Sequence, residues 1–214
     1  MRLRNDPEAH EKLKIFDNYI QNPFEYRGKW HAYFGNNNPI HMEIGSGKGK
    51  FIITLAQQNP QINYIAFEKV PTVLLKLVRK IPDGGLKNLA VISEDAKKLC
   101  EIFEDGEIDK IYLNFSDPWP KYRHTKRRLT AKPFLNIYER VLKDNSLIEF
   151  KTDNRPFFDF SLEELKDSKF IIERFTYDLY NSDLLEGNIA TEYEERFHGL
   201  GTPINKVIVR LNKK

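Results

Sequence analysis

Residues 40–50, Ile-His-Met-Glu-Ile-Gly-Ser-Gly-Lys-Gly-Lys, join an apolar run to a glycine-rich turn. The run from Ile40 to Ile44 predicts a strand, and the residues from Gly49 to Gln57 predict a helix. Strand, glycine loop and helix in this order are typical of an α/β fold that binds a nucleotide-like ligand at the turn. The spacing matches neither a P-loop nor the dinucleotide fingerprint, whose third glycine would stand where Lys50 stands.

The turn itself carries Gly45, Gly47 and Gly49, preceded by the acidic Glu43. This spacing suits a loop that passes close under a nucleoside without a pyrophosphate, with a carboxylate facing a cationic ligand. Each glycine in regular structure costs roughly 0.5–1 kcal/mol, so a single turn rarely needs three of them. A glycine-rich turn without a ligand is the alternative interpretation.

Acidic residues also follow the next two predicted strands. Glu68 ends the strand from Tyr64 to Phe67, about 20 positions after the glycine loop, where it is placed to accept hydrogen bonds from two ribose hydroxyls. An ordinary surface glutamate is the alternative. Asp95 follows the strand from Leu89 to Ile92, where it would either hold an adenine amino group or cap the next helix.

A second motif, Asn-Phe-Ser-Asp-Pro-Trp-Pro-Lys at 114–121, leads into the basic run Tyr-Arg-His-Thr-Lys-Arg-Arg at 122–128. The residues from Ile108 to Phe115 predict a buried strand, so Asp117 lies just past its carboxyl end, where ligands bind in open α/β sheets. The two prolines stiffen the loop, and Trp119 is either a stacking surface or a hydrophobic plug. A carboxylate beside a dense basic run favours a polyanion with one base held for chemistry. A turn followed by a solvated basic face is the alternative.

The rest of the chain predicts the form of the sheet. Strands and helices alternate as far as residue 165, with Asp153 just after the strand from Leu147 to Phe150. Two further strands, Lys169 to Leu179 and Ile204 to Leu211, flank an acidic insertion at 183–203. This order predicts an α/β fold with a mostly parallel sheet and an antiparallel edge.

Composition narrows the class of protein. A length of 214 residues fits one domain, which we divide into an N-terminal arm (1–39), with one predicted helix from Glu8 to Tyr19, and an α/β core (40–214). The single cysteine fits a reducing compartment, and the five histidines have no zinc-like spacing, so we expect no metal. No apolar run or leader indicates a membrane or secretion, so we expect a cytoplasmic protein. The net charge of +3 is concentrated in the basic run.

Three motifs together resemble the bacterial tRNA (guanine-N7-)-methyltransferase family. They are Glu43-x-Gly45-x-Gly47-x-Gly49 with Glu68, the run from Asp117 to Arg128, and Thr191-x-Tyr193-Glu194-x-x-Phe197 with Asp153. The glycine motif alone indicates only a class I S-adenosylmethionine-dependent methyltransferase. The Asp-Pro-Trp-Pro-Lys run with its basic tail is far more specific, and the resemblance covers nearly the whole chain.

The resemblance implies a fold, an activity and a set of roles. The fold is the class I methyltransferase (Rossmann-like) fold, with a seven-stranded, mostly parallel sheet, an antiparallel C-terminal edge strand and helices on both faces. The activity is methyl transfer from S-adenosylmethionine to N7 of a guanine in the tRNA variable loop. The implied cofactor-binding residues are Glu43, Gly45, Gly47, Gly49, Glu68, Asp95 and Asp117, the last of which is also catalytic. The implied substrate contacts are Lys121, Asp153, Thr191, Glu192, Tyr193 and Glu194. The implied RNA contacts are Arg123, His124, Thr125, Lys126, Arg127 and Arg128.

Two other functions compete with this one. Exocyclic-amine methyltransferases use an Asp/Asn-Pro-Pro-aromatic loop, of which Asp117-Pro118-Trp119-Pro120 is a permuted look-alike. An RNA-binding module that has lost its cofactor is the other, although the intact Glu43, glycines and Glu68 speak against it. We expect tRNA as the partner, no membrane, and a monomer or homodimer.

Overall fold

A computed structural model describes residues 6–213, so the first five residues of the predicted arm lie outside the described residues. The strands are β1 (Tyr19–Ile20), β2 (Ile40–Ile44), β3 (Asn63–Phe67), β4 (Leu89–Ile92), β5 (Ile108–Asn114), β6 (Leu142–Thr152), β7 (Phe170–Thr176) and β8 (Asn205–Leu211). The α-helices are α1 (Ala9–Leu13), α2 (Trp30–Phe34), α3 (Lys50–Gln58), α4 (Pro71–Val78), α5 (Leu99–Ile102), α6 (Lys132–Val141), α7 (Arg155–Lys166) and α8 (Glu192–His198). Short 3₁₀ turns are Pro23–Tyr26, Ala96–Lys98, Tyr122–Arg127, Leu179–Asn181 and Asp183–Leu185.

Among residues 6–213, one sheet of eight strands has the order β1-β4-β3-β2-β5-β6-β8-β7. From β2 the chain builds outward through β3 and β4, then returns to place β5 on the other side of β2. The point between β2 and β5 is therefore the topological switch of the sheet, and the crevice at its carboxyl ends is where open α/β sheets bind ligands.

Helices cover both faces of the sheet because its strands alternate their buried side chains. In β3, Ile65 and Phe67 pack into a core shared with α5, α6 and α7. The intervening Tyr64 and Ala66 pack into a second core shared with α1, α3 and α4. This period of two, with both faces apolar, is the pattern of a buried parallel strand, and it confirms the predicted layers.

The seven predicted strands are present, and β1 adds an eighth at the edge beside β4. The helix predicted from Glu8 to Tyr19 was therefore too long: α1 ends at Leu13, and Tyr19 is already in a strand. Asn18 explains the change, since its side chain donates to Leu86 O at 2.8 Å and to Leu89 O at 2.6 Å. These bonds fix the chain beside β4, a long-range effect that helical spacing does not reveal.

The antiparallel C-terminal strand is confirmed, but it is not the outermost one. β8 lies between β6 and β7 and pairs antiparallel with both. The edge strand is β7. Because β6 and β7 both run antiparallel to β8, they are parallel to each other, and the carboxyl end of β7 points to the same side of the sheet as those of β5 and β6. None of the helices within residues 6–213 is long and apolar enough to cross a membrane.

Candidate active site at the carboxyl edge of the sheet

The glycine loop folds back over the end of β3. The amides of Gly45 and Ser46 donate to Phe67 O at 2.7 and 3.2 Å. Gly45, Gly47 and Gly49 all have positive φ, between 55° and 83°, a region that side chains other than glycine rarely adopt. A Cβ on Gly49 would overlap Leu77, whereas one on Gly45 would meet nothing within 4 Å. Gly49 thus permits helix packing, and Gly45 leaves open space above the loop.

Glu43 is a buried carboxyl with one unsatisfied oxygen. Asn114 Nδ2 donates to its Oε1 at 2.8 Å, while Oε2 has no hydrogen-bond partner among the described residues. Burial raises the pKa of Glu43 to about 8, although the Asn114 hydrogen bond opposes this shift. Such a group is poised to receive a cation or a hydrogen-bond donor. Asn114 was not predicted as a site residue. The feature of the sequence that could have indicated it is a polar side chain at the end of a buried strand.

Glu68 lies across the loop from Glu43 and is half-buried. Its Oε2 accepts from the Gly47 amide at 3.2 Å, and its Oε1 accepts from the Val70 amide at 2.9 Å. Burial raises the pKa of Glu68 in spite of these bonds, and the negative charge of Asp117 adds to the rise. Glu43, Glu68 and Asp117 therefore share one electrostatic environment at the switch point, and Glu68 is not an ordinary surface glutamate.

Further unsatisfied polar atoms surround the same crevice. Within residues 6–213, five buried side-chain oxygens lack a hydrogen-bond partner. Four of them lie near or just beyond the carboxyl ends of β2, β4 and β5: Glu43 Oε2, Ser46 Oγ, Ser93 Oγ and Ser116 Oγ. Buried polar groups in proteins are nearly always hydrogen-bonded. These oxygens, one of a carboxyl group and three of serine hydroxyls, are open to hydrogen bonds from a polar ligand with hydroxyl and ammonium donors. S-adenosylmethionine is such a ligand.

Asp95 serves as a cap in this structure. Its Oδ1 accepts from the Lys97 amide at 3.0 Å at the start of the 3₁₀ turn Ala96–Lys98, and Lys69 Nζ donates to its Oδ2 at 2.8 Å. Burial would raise the pKa of Asp95, but the bonds from Lys69 and Lys97 hold it below the usual value. The capping alternative is confirmed, and cofactor binding by Asp95 stays a prediction.

The loop after β5 contains two non-glycine residues in left-handed conformation. Phe115 has φ 51° and Trp119 has φ 42°, which is a strained backbone of the kind that clusters at functional sites. Arg128 holds the loop in place: its Nε donates to Pro118 O at 2.8 Å and its Nη2 to Trp119 O at 3.3 Å. The Trp119 ring packs edge-on against His124 and under the Arg127 guanidinium, 5.0 Å from its centroid.

The basic residues of 121–128 divide into two groups. Of the predicted RNA contacts, Arg123, Lys126 and Arg127 are exposed, and His124 and Thr125 are half-buried. Lys121, a predicted substrate contact, is exposed as well. Arg128 departs from the prediction, because its guanidinium points inward to the loop carbonyls and lies 4.2 Å from the Phe160 ring centroid. Tyr122, which was not predicted, is 91% exposed among these cations.

Asp153 lies just after β6 and meets α8. Tyr193 OH donates to its Oδ2 at 3.2 Å, and the Tyr193 ring lies 5.0 Å from Phe115. Thr191 caps α8 by accepting from the Glu194 amide at 3.0 Å, the usual role of threonine there. Asp153 and Tyr193 thus contact each other and Thr191 caps α8, while contact of these residues with the substrate stays a prediction.

Glu194 departs from the predicted direct substrate contact. It is fully buried and forms an ion pair with Lys151 at 2.5 Å. Lys80 pairs with Glu192 and Lys50 with Glu195, so α8 also reaches α3 and the end of α4. Lys151 was not predicted as a residue of the site. The feature of the sequence that could have indicated it is a lysine near the end of an apolar strand.

For comparison between regions, we call residues 43–50 with Glu68 the glycine-loop side, and residues 114–128 with Asp153 and α8 the basic-loop side. Residues 6–213 contain no group of three or more His, Cys, Asp or Glu side chains arranged to hold a metal ion.

Known proteins resemble this chain over its full length. A family model described as "Putative methyltransferase" matches residues 37–207. A tRNA (guanine-N(7)-)-methyltransferase from Lachnoclostridium phytofermentans is 50% identical over 214 residues, covering all of both chains. One from Geobacillus sp. is 49% identical over 215 residues, covering all of this chain and 97% of the relative.

Solved structures resemble the fold. A 16S rRNA methyltransferase, KamB, has a TM-score of 0.64 at 15% identity, covering 86% of this chain and 93% of its own. A SAM-dependent methyltransferase from Aquifex aeolicus has a TM-score of 0.57 at 16% identity, covering 97% and 94%. Likeness at this identity shows the fold alone, and it confirms the predicted class I methyltransferase fold.

Proposed function

This chain belongs to the tRNA (guanine-N7-)-methyltransferase family, and from that premise we propose that it methylates N7 of a guanine in the variable loop of tRNA, with S-adenosylmethionine as the donor. The observation that carries the proposal is the shared crevice of Glu43, Glu68 and Asp117 beside an exposed basic loop. Acidic groups suit a sulfonium nucleoside, and the basic loop suits the phosphates of RNA.

The residues proposed to hold the donor are Glu43, Gly45, Gly47, Gly49, Glu68, Asp95 and Asp117. S-adenosylmethionine supplies a methyl group already activated by the positive charge on its sulfur. The unsatisfied Glu43 Oε2 would accept a hydrogen bond from the donor's ammonium group, and Glu68 would accept from its ribose hydroxyls. The open space above Gly45 leaves room for this binding.

The acceptor side needs no general base. Guanine N7 carries an in-plane lone pair, so no proton has to leave before the methyl group is accepted, and positive charge then appears on the purine. The carboxylates of Asp117 and Asp153 would stabilise that charge, and one of them would accept the guanine N1–H and N2–H pair. The protein's contribution is therefore positioning and electrostatics, with Tyr193 holding Asp153 from α8.

The exposed cations of the loop are proposed to bind the RNA backbone. Arg123, Lys126 and Arg127 reach solvent on the same loop that presents Asp117, and the exposed Lys121 on that loop is proposed to contact the substrate. Phosphate contacts fix the register of the nucleic acid and leave base selection to other groups. Arg128 would support this surface from behind, since its guanidinium holds the loop carbonyls.

The test is methylation of an unmodified tRNA transcript with labelled donor, followed by mapping of the labelled nucleotide. The matched control is the same transcript with 7-deazaguanosine at the mapped position, which lacks only the N7 nitrogen. We expect label at one guanine in the variable loop and none in the 7-deaza transcript. Label that persists there would support exocyclic-amine methylation, and no label with either transcript would contradict the proposal.

Three further proposals accompany this function. They are one folded domain, action as a monomer or homodimer, and a cytoplasmic location. Sedimentation of the purified protein with and without tRNA would decide the second.

A further inference from the structure

We propose that Lys151 is a positioning residue for the substrate, acting through Glu194 to fix α8 and so to hold Tyr193 against Asp153. This inference rests on the proposed function, because it assigns a role within that reaction. It also changes the part played by Glu194, from a direct substrate contact to an anchor beneath one.

Lys151 is the last residue but one of β6, and two positions later the chain reaches Asp153. Its side chain is 3% exposed, and its ammonium donates to three acceptors. These are Glu194 Oε2 at 2.5 Å, Asn188 Oδ1 at 3.0 Å and Ile189 O at 3.0 Å. An ammonium has three protons to donate, so all three are used inside the protein.

All three acceptors belong to one segment, residues 188–194, which leads into α8. A single side chain on the sheet therefore holds the whole approach to the helix. The other oxygen of Glu194 accepts from Asn188 Nδ2 at 2.7 Å and from Tyr180 OH at 3.3 Å. Both Glu194 oxygens thus accept hydrogen bonds within the fold, and the residue is fully buried, so the carboxylate serves the protein's own packing.

Fixing Glu194 also fixes its neighbour. Successive residues of an α-helix point about 100° apart, so a buried Glu194 directs Tyr193 to another side of α8. There the Tyr193 hydroxyl donates to Asp153 at 3.2 Å, and its ring stacks on Phe197 at 4.2 Å between centroids. The side chain that meets Asp153 is consequently set by an ion pair that touches neither substrate nor donor.

The remaining ionic contacts of α8 are more exposed. Lys50 and Lys80 pair with Glu195 and Glu192 at the surface, and such pairs are screened and weak. A buried pair behaves differently, since removing one partner leaves the other charged and unsolvated. The Lys151–Glu194 pair is therefore the main polar anchor of α8, and Lys80 offers a matched surface control.

The experiment compares Lys151→Met, Glu194→Gln and Lys80→Met with the unchanged protein, in full-length form and well below each unfolding temperature. We expect Lys151→Met to lower kcat/KM for tRNA at least tenfold, with the dissociation constant for S-adenosylmethionine changed less than threefold. Glu194→Gln keeps a neutral acceptor, so its loss should be smaller. Lys80→Met should change kcat/KM less than twofold.

A double-mutant cycle with Tyr193→Ala separates positioning from general loss of structure. If Lys151 acts through Tyr193, Lys151→Met combined with Tyr193→Ala should be no worse than Tyr193→Ala alone. Amide hydrogen exchange should also quicken within residues 188–198 in Lys151→Met, a readout independent of activity. If Lys151→Met does not fold, Glu194→Gln enters the same cycle.

Two results would overturn the inference: unchanged kcat/KM for tRNA in a folded Lys151→Met protein, or fully additive effects in the cycle. Failure of the proposed function is a different result, since the unchanged protein would then leave tRNA unmethylated. In that case the exchange measurement still tests whether Lys151 holds α8.

Discussion

The glycine-loop side and the basic-loop side meet at one crevice, but they hold their functional groups in opposite ways. On the glycine-loop side the key carboxyl, Glu43, is buried and unsatisfied, and backbone amides and glycine conformations shape the rest. On the basic-loop side the key groups, Asp117 and the loop cations, are exposed. Arg128 holds the loop that carries them, and Lys151 holds α8 on the same side.

This difference means that function and stability are coupled differently on the two sides. A buried carboxyl that waits for a ligand destabilises the free protein, so one residue carries both effects. An exposed carboxyl contributes little to stability, and the residues that hold it do not take part in chemistry. Substitution of Glu43 should therefore change activity and stability in opposite directions, whereas substitution of Asp117 should change activity alone.

The largest effect should come from Asp117→Ala, which tests the basic-loop side. Removing a group that stabilises developing charge typically lowers kcat by about 10²–10³-fold. Because Asp117 is exposed, we expect the unfolding temperature to stay within about 2 °C of the unchanged protein, the range of a surface substitution. Single-turnover methylation and thermal unfolding measure the two quantities, and full activity in the variant would end the catalytic assignment.

At pH 8.5, where the Glu43 carboxyl is ionised, Glu43→Gln should weaken donor binding by about 10–100-fold, since it removes a charged acceptor worth ~1.5–3 kcal/mol. It should at the same time stabilise the free protein at high pH. The folded-state pKa of Glu43 is about 8, above its ordinary value of 4.5. The folded protein thus keeps a proton that the unfolded chain releases, so stability falls as pH rises from 4.5 to 8 and levels off above 8.

Calorimetric titration with S-adenosylmethionine and thermal unfolding at pH 4.5 and 8.5 test this opposition. We expect Glu43→Gln to unfold at least ~4 °C higher than the unchanged protein at pH 8.5, with little difference at pH 4.5. An equal difference at both pH values would show that burial of Glu43 does not oppose folding, and the contrast between the two sides would fail.

The basic-loop side contains its own contrast, between the exposed Lys126 and Arg127 and the inward Arg128. Lys126→Ala with Arg127→Ala should weaken tRNA binding about tenfold and reduce the salt slope of log K by roughly 1.4–1.8, because each phosphate contact contributes about 0.7–0.9. Arg128→Ala should instead lower the unfolding temperature and leave the slope near its original value. Filter binding across a salt series would decide, and equal slope changes would remove the distinction.

The contrast also explains which parts of the site the sequence reveals. Glu43 and the three glycines follow one another at short spacing around a strand and a turn, and Glu68 ends the next parallel strand, so rules for strand–loop–helix units predict their meeting at one edge. A mostly parallel sheet could be predicted as well, because alternating strands and helices allow few arrangements, although the edge strand is β7 and not the C-terminal strand. Even there, Asn114 was missed, since its bond to Glu43 joins neighbouring strands.

The basic-loop side depends on contacts that are distant in sequence. The sequence alone predicts Glu194 as a substrate contact, and only the structure shows that it pairs with Lys151, 43 positions earlier, in the interior. The sequence alone predicts Arg128 as one more RNA-binding cation, and only the structure shows its hydrogen bonds to the Pro118 and Trp119 carbonyls. The left-handed Phe115 and Trp119 have no sequence signature at all, because side chains other than glycine adopt that conformation only under tertiary constraint.

The smallest effect should come from the surface ion pairs that link α8 to Lys50 of the glycine-loop side and to Lys80 beyond the end of α4. Glu192→Gln with Glu195→Gln removes the partners of Lys80 and Lys50. Exposed pairs contribute ~0.2–1 kcal/mol each and are screened by salt, so we expect the free energy of unfolding to fall by less than about 2 kcal/mol, and the difference to vanish near 1 M salt. Denaturant unfolding at low and high salt measures it. The Lys151–Glu194 pair is buried and should not respond to salt in this way. A large, salt-insensitive loss in the double variant would mean that the surface pairs, and not Lys151, join the two sides.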